Sequence, residues 1–546
     1  MAEDAQPIQQ QPRPTPLVIN GYSEIPDVSS SPTTGGGEGS SHPYDAIIPP
    51  AHTHRTLVLC FDGTGDQFDS DNSNIVQLFS MLVKDDPNQQ MVYYQAGIGT
   101  YTIPEMATPM MAKLSKTVDM MIGSHLNAHV MGGYEFLMQN YVAGDKICIF
   151  GFSRGAYTAR ALAGMIHKVG LLPTCNHQQV PFAYNMYSRD DEEGWKQSTA
   201  FKKAFSINVD IEFVGVWDTV SSVGVLPKRL PFTRANDNIR YFRHALSLDE
   251  HRVRFKPNLW ARPTEEDKKL GIQRHEMPRS FRRHFPTFEE VKDRKSVADS
   301  EATKGSHHSH HSDKRLPELE RQYSTSIVET DVEEVWFSGC HCDVGGGSVT
   351  NGTRNSLARI PLRWMIRECF KLKVGILFHR DMFKDIGMDP ATLYPLVKRP
   401  PPIYQPPRVA SAPGTPDSTV KAHVLPRPEI VRGNSAVVAY SDGGDFVNEE
   451  VEDLLDAMSP IYDQLTKLPW WILEVIPQPL RYQADEDNSM IAKYTINMGH
   501  GRHLPRQHKA GVKFHRSVKI RMEADGLEFG KYWPKAKLKV EPEWID

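Results

Sequence analysis

No stretch of the 546-residue chain approaches the ~20 consecutive apolar residues that a membrane-spanning helix needs. No transmembrane segment is therefore expected. An excess of one charge is also missing. Lys and Arg number 63 against 67 Asp and Glu, a formal net charge of −4. A nucleic-acid partner would leave a basic footprint, and none is written here. Cysteine is scarce, with six residues scattered at 60, 148, 175, 340, 342 and 369 and no paired spacing. Cys60 and Cys148 fall in apolar runs, where a thiol packs as a small hydrophobe. That usage fits a reducing compartment rather than a disulfide framework. The opening Met-Ala-Glu-Asp-Ala-Gln-Pro has neither the charged start nor the apolar run of a secretory signal. Together these absences lead us to expect a cytoplasmic protein.

Metal and nucleotide signatures fail on inspection. The run Asp69-Ser70-Asp71-Asn72-Ser73-Asn74 opens like a calcium loop, but Asn74 stands where the turn needs Gly, and no Glu follows at the twelfth position. Gly345-Gly346-Gly347 lacks the Gly-Lys-Ser/Thr ending of a phosphate loop. The histidine tract within Ser306–Ser312 reads as a solvated insertion. Cys340-His341-Cys342-Asp343 invites zinc, yet neighbours on a strand point to opposite faces and no second ligand pair is evident. We expect no metal and no organic cofactor.

What the sequence does contain is Gly151-Phe152-Ser153-Arg154-Gly155. The apolar Ile147–Phe150 before it reads as a buried strand, and Ala156–Leu172 after it as a helix. A serine between two glycines at a strand-to-helix turn is a nucleophile elbow, where small neighbours tolerate the tight geometry. The N–H of Arg154, at a helix N-terminus, would face an oxyanion. Upstream, the strand 55–61 runs into Asp62-Gly63-Thr64-Gly65, where the second oxyanion donor, Gly63 or Thr64, is expected. Downstream, the strand 208–217 ends at Asp218, an acid in the chain order Ser…Asp…His. An apolar strand is expected to end in His341, the best candidate base, with His515 as the other candidate.

The alternation of strands and helices predicts an α/β fold, a mostly parallel central sheet flanked by helices. Residues 1–50, rich in Pro, Gln, Ser and Gly, read as a disordered tail. The hydrolase domain is expected over 51–520, interrupted by low-complexity insertions at about 270–325 and 399–433, with a C-terminal tail over 521–546. Val451, Leu454, Leu455, Met458, Tyr462 and Leu465 form an apolar stripe. Leu468-Pro469-Trp470-Trp471-Ile472-Leu473 reads first as packed core, and alternatively as an interfacial membrane contact or an acyl-pocket lid.

These marks together resemble the α/β-hydrolase family that contains the type VI secretion phospholipase effectors. The likeness rests on Phe61-Asp62-Gly63-Thr64, Gly151–Tyr157, Val216-Trp217-Asp218-Thr219-Val220, Ala245–Glu250 and Phe337–Gly347. The low-complexity segments resemble additions seen in fungal members. The resemblance implies a Ser-Asp-His triad, here Ser153, Asp218 and His341, acting on lipid or phospholipid esters. The expected partner is a lipid or small ester substrate, with transient contact to a membrane surface. The same triad would also serve a thioesterase or peptidase, and a non-catalytic interaction protein on this fold is a further alternative.

Overall fold

The structure is a computed structural model that describes residues 46–50, 54–64, 66–97, 126–220, 230–262, 330–398, 448–484, 490–505, 507, 511–524 and 530–546. The expected tail and both low-complexity insertions lie wholly or mainly outside those residues.

Continuous apolar runs become the strands of one sheet. In chain order these are β1 (Thr56–Phe61), β2 (Gln90–Gln95), β3 (Lys146–Phe152), β4 (Ile211–Trp217), β5 (Ile239–Ser247), β6 (Asp331–Phe337), β7 (Lys513–His515) and β8 (Glu543–Ile545). They pair in the order β8-β7-β6-β5-β4-β3-β1-β2, and every pairing is parallel. A parallel sheet must be covered on both faces, which is why its central strands carry no polar alternation. The helices that cover it include α1 (Asn74–Met81), α2 (Leu126–Asn140), α3 (Ser153–Val169), α4 (Val180–Ser188), α5 (Glu192–Phe205), α6 (His341–Gly345), α7 (Arg359–Lys371), α8 (Glu449–Ala457), α9 (Trp471–Glu474) and α10 (Arg516–Glu523).

Strand alternation sorts the core into two layers. Leu57, Leu59, Ile147 and Ile149 face α2 and α3, whereas Val58, Cys60, Cys148 and Phe150 face α1 and α7. Burial pushes the Cys60 and Cys148 thiols up, away from thiolate chemistry. The strand order reverses beside β1: β2 lies on one side of it, and β3 with all later strands on the other. Loops leaving β1 and β3 diverge at such a switch point and open a crevice at the carboxyl ends of the strands.

Three expectations need correction. The strand before His341 ends at Phe337, and His341 opens α6, because the Asp343 carboxylate accepts the Cys340 N–H at 2.9 Å and caps a helical turn. The face-alternation argument against zinc therefore does not apply to that cluster. The domain boundaries are also wider than 51–520. Ile47–Ile48 pairs with Phe378–His379, and β8 forms the edge of the main sheet beside β7.

The third correction concerns the apolar stripe, which is buried only in part: Leu454 and Met458 pack on the core and Leu465 is buried, but acids share that side. On α8 the buried side is acidic, with Glu449, Glu450, Glu452, Asp453 and Asp456 turned inward and Leu455 exposed. The reason lies on α7 and α10, which present Arg359, Arg363, Arg367 and Arg516. Arg363 Nη2 reaches Asp453 Oδ1 at 2.6 Å and Asp456 Oδ2 at 2.7 Å, Arg359 Nη1 reaches Glu452 Oε2 at 2.7 Å, and Arg367 and Arg516 bond to Glu449 and Glu450. A buried carboxylate is tolerable only when paired this closely.

Candidate active site

The last strand residue of β3, Phe152, passes directly into Ser153, the first residue of α3. Ser153 has a φ of +58°, a left-handed conformation that strains a residue with a Cβ. Both flanking glycines are required by space. A Cβ on Gly155 would lie 2.3 Å from the Phe61 and Asp62 carbonyl oxygens, and one on Gly151 would lie 2.5 Å from the Gly155 carbonyl oxygen. The elbow is thus wedged against the end of β1, at the switch point of the sheet.

Asp218 follows β4 directly and also has a positive φ, +40°. The bond from the Thr219 N–H to His244 Nε2 (3.1 Å) steadies this turn, and His244 Nδ1 lies 2.9 Å from Glu334. His341 comes from the far side of β5, its N–H donating to Glu250 Oε2 at 3.2 Å. The three side chains meet. Ser153 Oγ lies 2.7 Å from His341 Nε2, and His341 Nδ1 lies 2.5 Å from Asp218 Oδ2. With Nδ1–H donated to the carboxylate, Nε2 is left to accept from the serine hydroxyl. All three residues are buried. The Phe152 and Phe255 rings flank the imidazole, with centroids 4.7 and 4.8 Å away.

Asp218 is held by more than the histidine. Arg502 donates Nη1 to Oδ1 at 2.5 Å and Nη2 to Oδ2 at 2.9 Å. Ser247 adds its N–H to Oδ1 at 3.1 Å and its hydroxyl to Oδ2 at 3.2 Å. Burial alone would raise the Asp218 carboxyl. The Arg502 charge and the bond from His341 outweigh it and hold the group far below the ordinary carboxylate range. Burial pushes the His341 imidazole below its ordinary value, although Asp218 opposes this.

The expected oxyanion donors fare differently. The Gly63 N–H already donates to its neighbour Asp62 Oδ1 at 2.8 Å, and that carboxylate also accepts from Ser73 Oγ (2.6 Å) and Tyr94 OH (2.8 Å). Gly63 is therefore committed to holding the loop. The Thr64 N–H meets no acceptor among the described residues, while its hydroxyl accepts from Arg154 Nε. Arg154 itself lies in the first turn of α3. His515 is not brought to Ser153. It caps α10, accepting from the Ser517 N–H, and stacks on Phe337 at 5.0 Å.

The profile of the family "T6SS, Phospholipase effector Tle1-like, catalytic domain" matches residues 55–368, more than half of the chain. The chain belongs to this Tle1-like family. The family is one described by its phospholipase effectors. An uncharacterized protein of Saccharomyces cerevisiae is 26% identical over 558 residues, covering 88% of this chain and 81% of the relative. An uncharacterized Pseudomonas aeruginosa protein of known structure is 17% identical, over 59% of this chain and 46% of its own, with a TM-score of 0.30. The Tle1 effector bound to the VgrG spike of the type 6 secretion system is 15% identical, over 55% and 52%, with a TM-score of 0.25. This chain thus spans about half the length of those two solved chains.

Arg502 lies outside the segment that matches the Tle1-like profile. Sequence reasoning missed it because nothing local in Gly499-His500-Gly501-Arg502-His503 marks a partner 284 residues away. Ser247 and Glu250 stood in the quoted Ala245–Glu250 run without a role. The Trp470–Trp471 stretch is not the packed core that was the first expectation. Leu468 is 81% exposed, Ile472 67% and Val475 53%, and Trp471, Ile476, Ile496 and Met498 are also exposed. The Met498 N–H donates to the Glu474 carbonyl, which joins these two segments into one apolar surface. The one carboxylate of 464–483, Glu474, is turned inward, where it accepts from Val253, Asn497 and Gly499. Among the described residues no helix is long and apolar enough to cross a membrane, and no group of three or more His, Cys, Asp or Glu is arranged to hold a metal ion.

Proposed function

We propose that the protein is a serine hydrolase that cleaves carboxylic esters of lipids, phospholipid acyl esters foremost, with Ser153, His341 and Asp218 as its catalytic residues. The observation that carries this reading is the unbroken chain from Ser153 Oγ to His341 Nε2 at 2.7 Å and from His341 Nδ1 to Asp218 Oδ2 at 2.5 Å. Ser153 Oγ attacks the ester carbonyl while His341 Nε2 takes the hydroxyl proton. The imidazolium then gives that proton to the leaving alcohol. Asp218 fixes the tautomer and stabilises the cation. Water, deprotonated by the same histidine, clears the acyl-enzyme. The N–H of Arg154, in the first turn of α3, and the N–H of Thr64, at the end of β1, face the developing oxyanion.

The exposed apolar surface makes transient contact with a lipid surface. Its tie to the site supports this. Trp470 packs edge-on against Phe255 at 5.7 Å, and Phe255 packs against His341 at 4.8 Å. Tryptophan and aliphatic side chains on a short helix are the composition of an interfacial contact.

The test uses wild type and Ser153→Ala on phosphatidylcholine vesicles, on a short p-nitrophenyl ester and with a fluorophosphonate probe. The reading expects fatty acid release and labelling by wild type, and neither by Ser153→Ala. Labelling with cleavage of thioesters or peptides alone would turn the reading to those acyl groups. A wild type that neither labels nor cleaves would overturn the enzyme reading in favour of a binding protein.

A further inference from the structure

The catalytic carboxylate has an ion-pair partner of its own. Asp218 is fully buried, and five hydrogen-bonding groups converge on its two oxygens: Arg502 Nη1 and Nη2, His341 Nδ1, and the Ser247 N–H and hydroxyl. Arg502 is fixed just as firmly on its other side. Nη2 donates to the Phe255 carbonyl at 2.6 Å, Nε to the same oxygen at 3.2 Å, and Nη1 to Ser247 Oγ at 2.7 Å and the Ser247 carbonyl at 3.1 Å. A guanidinium satisfied this way has a single orientation, and a fork has the geometry to take both carboxylate oxygens at once. A carboxylate free to rotate would not keep one oxygen on His341 Nδ1, and a buried one without a counter-ion would tend to take up a proton.

We propose that Arg502 is a positioning residue for the hydrolysis: its guanidinium fixes Asp218 as a carboxylate turned onto His341 Nδ1, so that a segment outside the family match completes the triad. This rests on the triad reading above. Arg502 acts through Asp218 and does not touch the reacting atoms. Its charge also offsets part of the negative field that Asp218 lays on His341, so the imidazole stays neutral, and able to act as base, to a lower pH. Among the described residues, the other charged or titratable groups around this cluster include Glu250 and Arg252, which follow β5 and face His341, the buried His244 on β5, which faces Asp218, and Lys256, which faces Arg502. Arg502 also lowers the pKa of Glu250 and of Lys256, and Lys256 stays protonated across the acid limb, so a shift of that limb on replacement reports the loss of the Arg502 charge, felt directly or through Glu250.

Full-length wild type, Arg502→Met and Arg502→Lys are compared by kcat/KM on a soluble p-nitrophenyl ester across pH 4–9, with thermal melts alongside. Loss of Arg502 raises the pKa of Asp218 and of His341 together, and both effects move the acid limb the same way. In Arg502→Met the limb is expected to move up by about one pH unit, and the plateau to fall about 100-fold as the base loses its alignment. Arg502→Lys, which keeps the charge without the fork, is expected to fall between the two in both readouts. A lowered plateau with the limb unmoved in Arg502→Met overturns the proposal. So does a wild-type profile in Arg502→Lys, or the absence of a cooperative melt in both variants, which would make the residue structural only. An inactive wild type would instead defeat the triad reading itself.

Discussion

The Phe255 ring stands edge-on to the His341 imidazole, 4.8 Å away at 69°, while the carbonyl of the same residue accepts from Arg502. One residue thus meets both His341 and the arginine that pairs with Asp218. Trp470 packs on the outer side of Phe255, and Arg252 lies over both rings. Two aromatic rings, Phe255 and Trp470, lead from the imidazole to the exposed apolar surface.

That arrangement lets the proposed docking be tested apart from the proposed catalysis. Ile472→Glu puts a charge on the surface without touching the triad. Release of fatty acid from phosphatidylcholine vesicles is expected to fall about tenfold, roughly the loss of one buried aliphatic contact, while hydrolysis of a short p-nitrophenyl ester stays near wild type. Equal losses on both substrates would sink the docking role.

The two candidate histidines have separable roles. His341→Ala is expected to lower ester hydrolysis by about 10⁴-fold, because the serine loses its base. His515→Ala is expected to keep the plateau rate and to lower the melting temperature by about 2 °C, through a lost helix cap. Activity that survives His341→Ala but not His515→Ala would reverse the assignment.

The pH profile follows from burial. His341 must be neutral to accept the serine proton, and its pKa is lowered from the ordinary 6.5. Hydrolysis of a short ester is therefore low in acid, rises with pH through a midpoint below 6.5, and is level above it. Asp218, held far lower still, stays ionised throughout this range. A midpoint above 7 would show that the field of Asp218 outweighs burial.

The arginine ladder between α7 and α8 predicts a large stability effect far from the chemistry. Arg363→Met leaves Asp453 and Asp456 buried with fewer partners, and the ion pair is too deep for water to replace it. A loss of about 3 kcal/mol is expected, at the low end for a broken buried pair, because Arg516 and Arg359 remain beside the two acids. Urea unfolding followed by tryptophan fluorescence reads it, and a change under 1 kcal/mol would refute the account.

The C-terminal residues are expected to be indispensable. Asp249 accepts the Tyr532 hydroxyl at 2.8 Å and the Lys535 N–H at 2.9 Å, and its Oδ2 also takes the Gly339 N–H just before His341. A chain stopped after residue 530 is expected to lose fluorophosphonate labelling. Labelling at the wild-type rate would return the segment to the status of a tail.

The sequence carried local features well and distant ones poorly. β1, β3 and β4 were legible because strands buried on both faces are continuous apolar runs, and Ser153 and Asp218 because they sit at the ends of those runs. His341 was found by residue type, but its helical start was not, since the cap depends on how Asp343 turns back to Cys340. The inward acids of α8 were illegible: an apolar stripe is the stronger local signal, and the arginines that draw acids inward beside it lie about 90 residues earlier on α7. Arg502 was hidden for the same reason. Its partner is near only once the sheet has closed.

Because Arg502 reaches back to Asp218, no chain shorter than 502 residues can build the arrangement, although Ser153, Asp218 and His341 are all present by residue 341. Synthesis runs toward the C-terminus, so a growing polypeptide carries Ser153, Asp218 and His341 long before it carries the cation that pairs with Asp218. A half-made chain would hold the three side chains but not the counter-ion that fixes Asp218 between them.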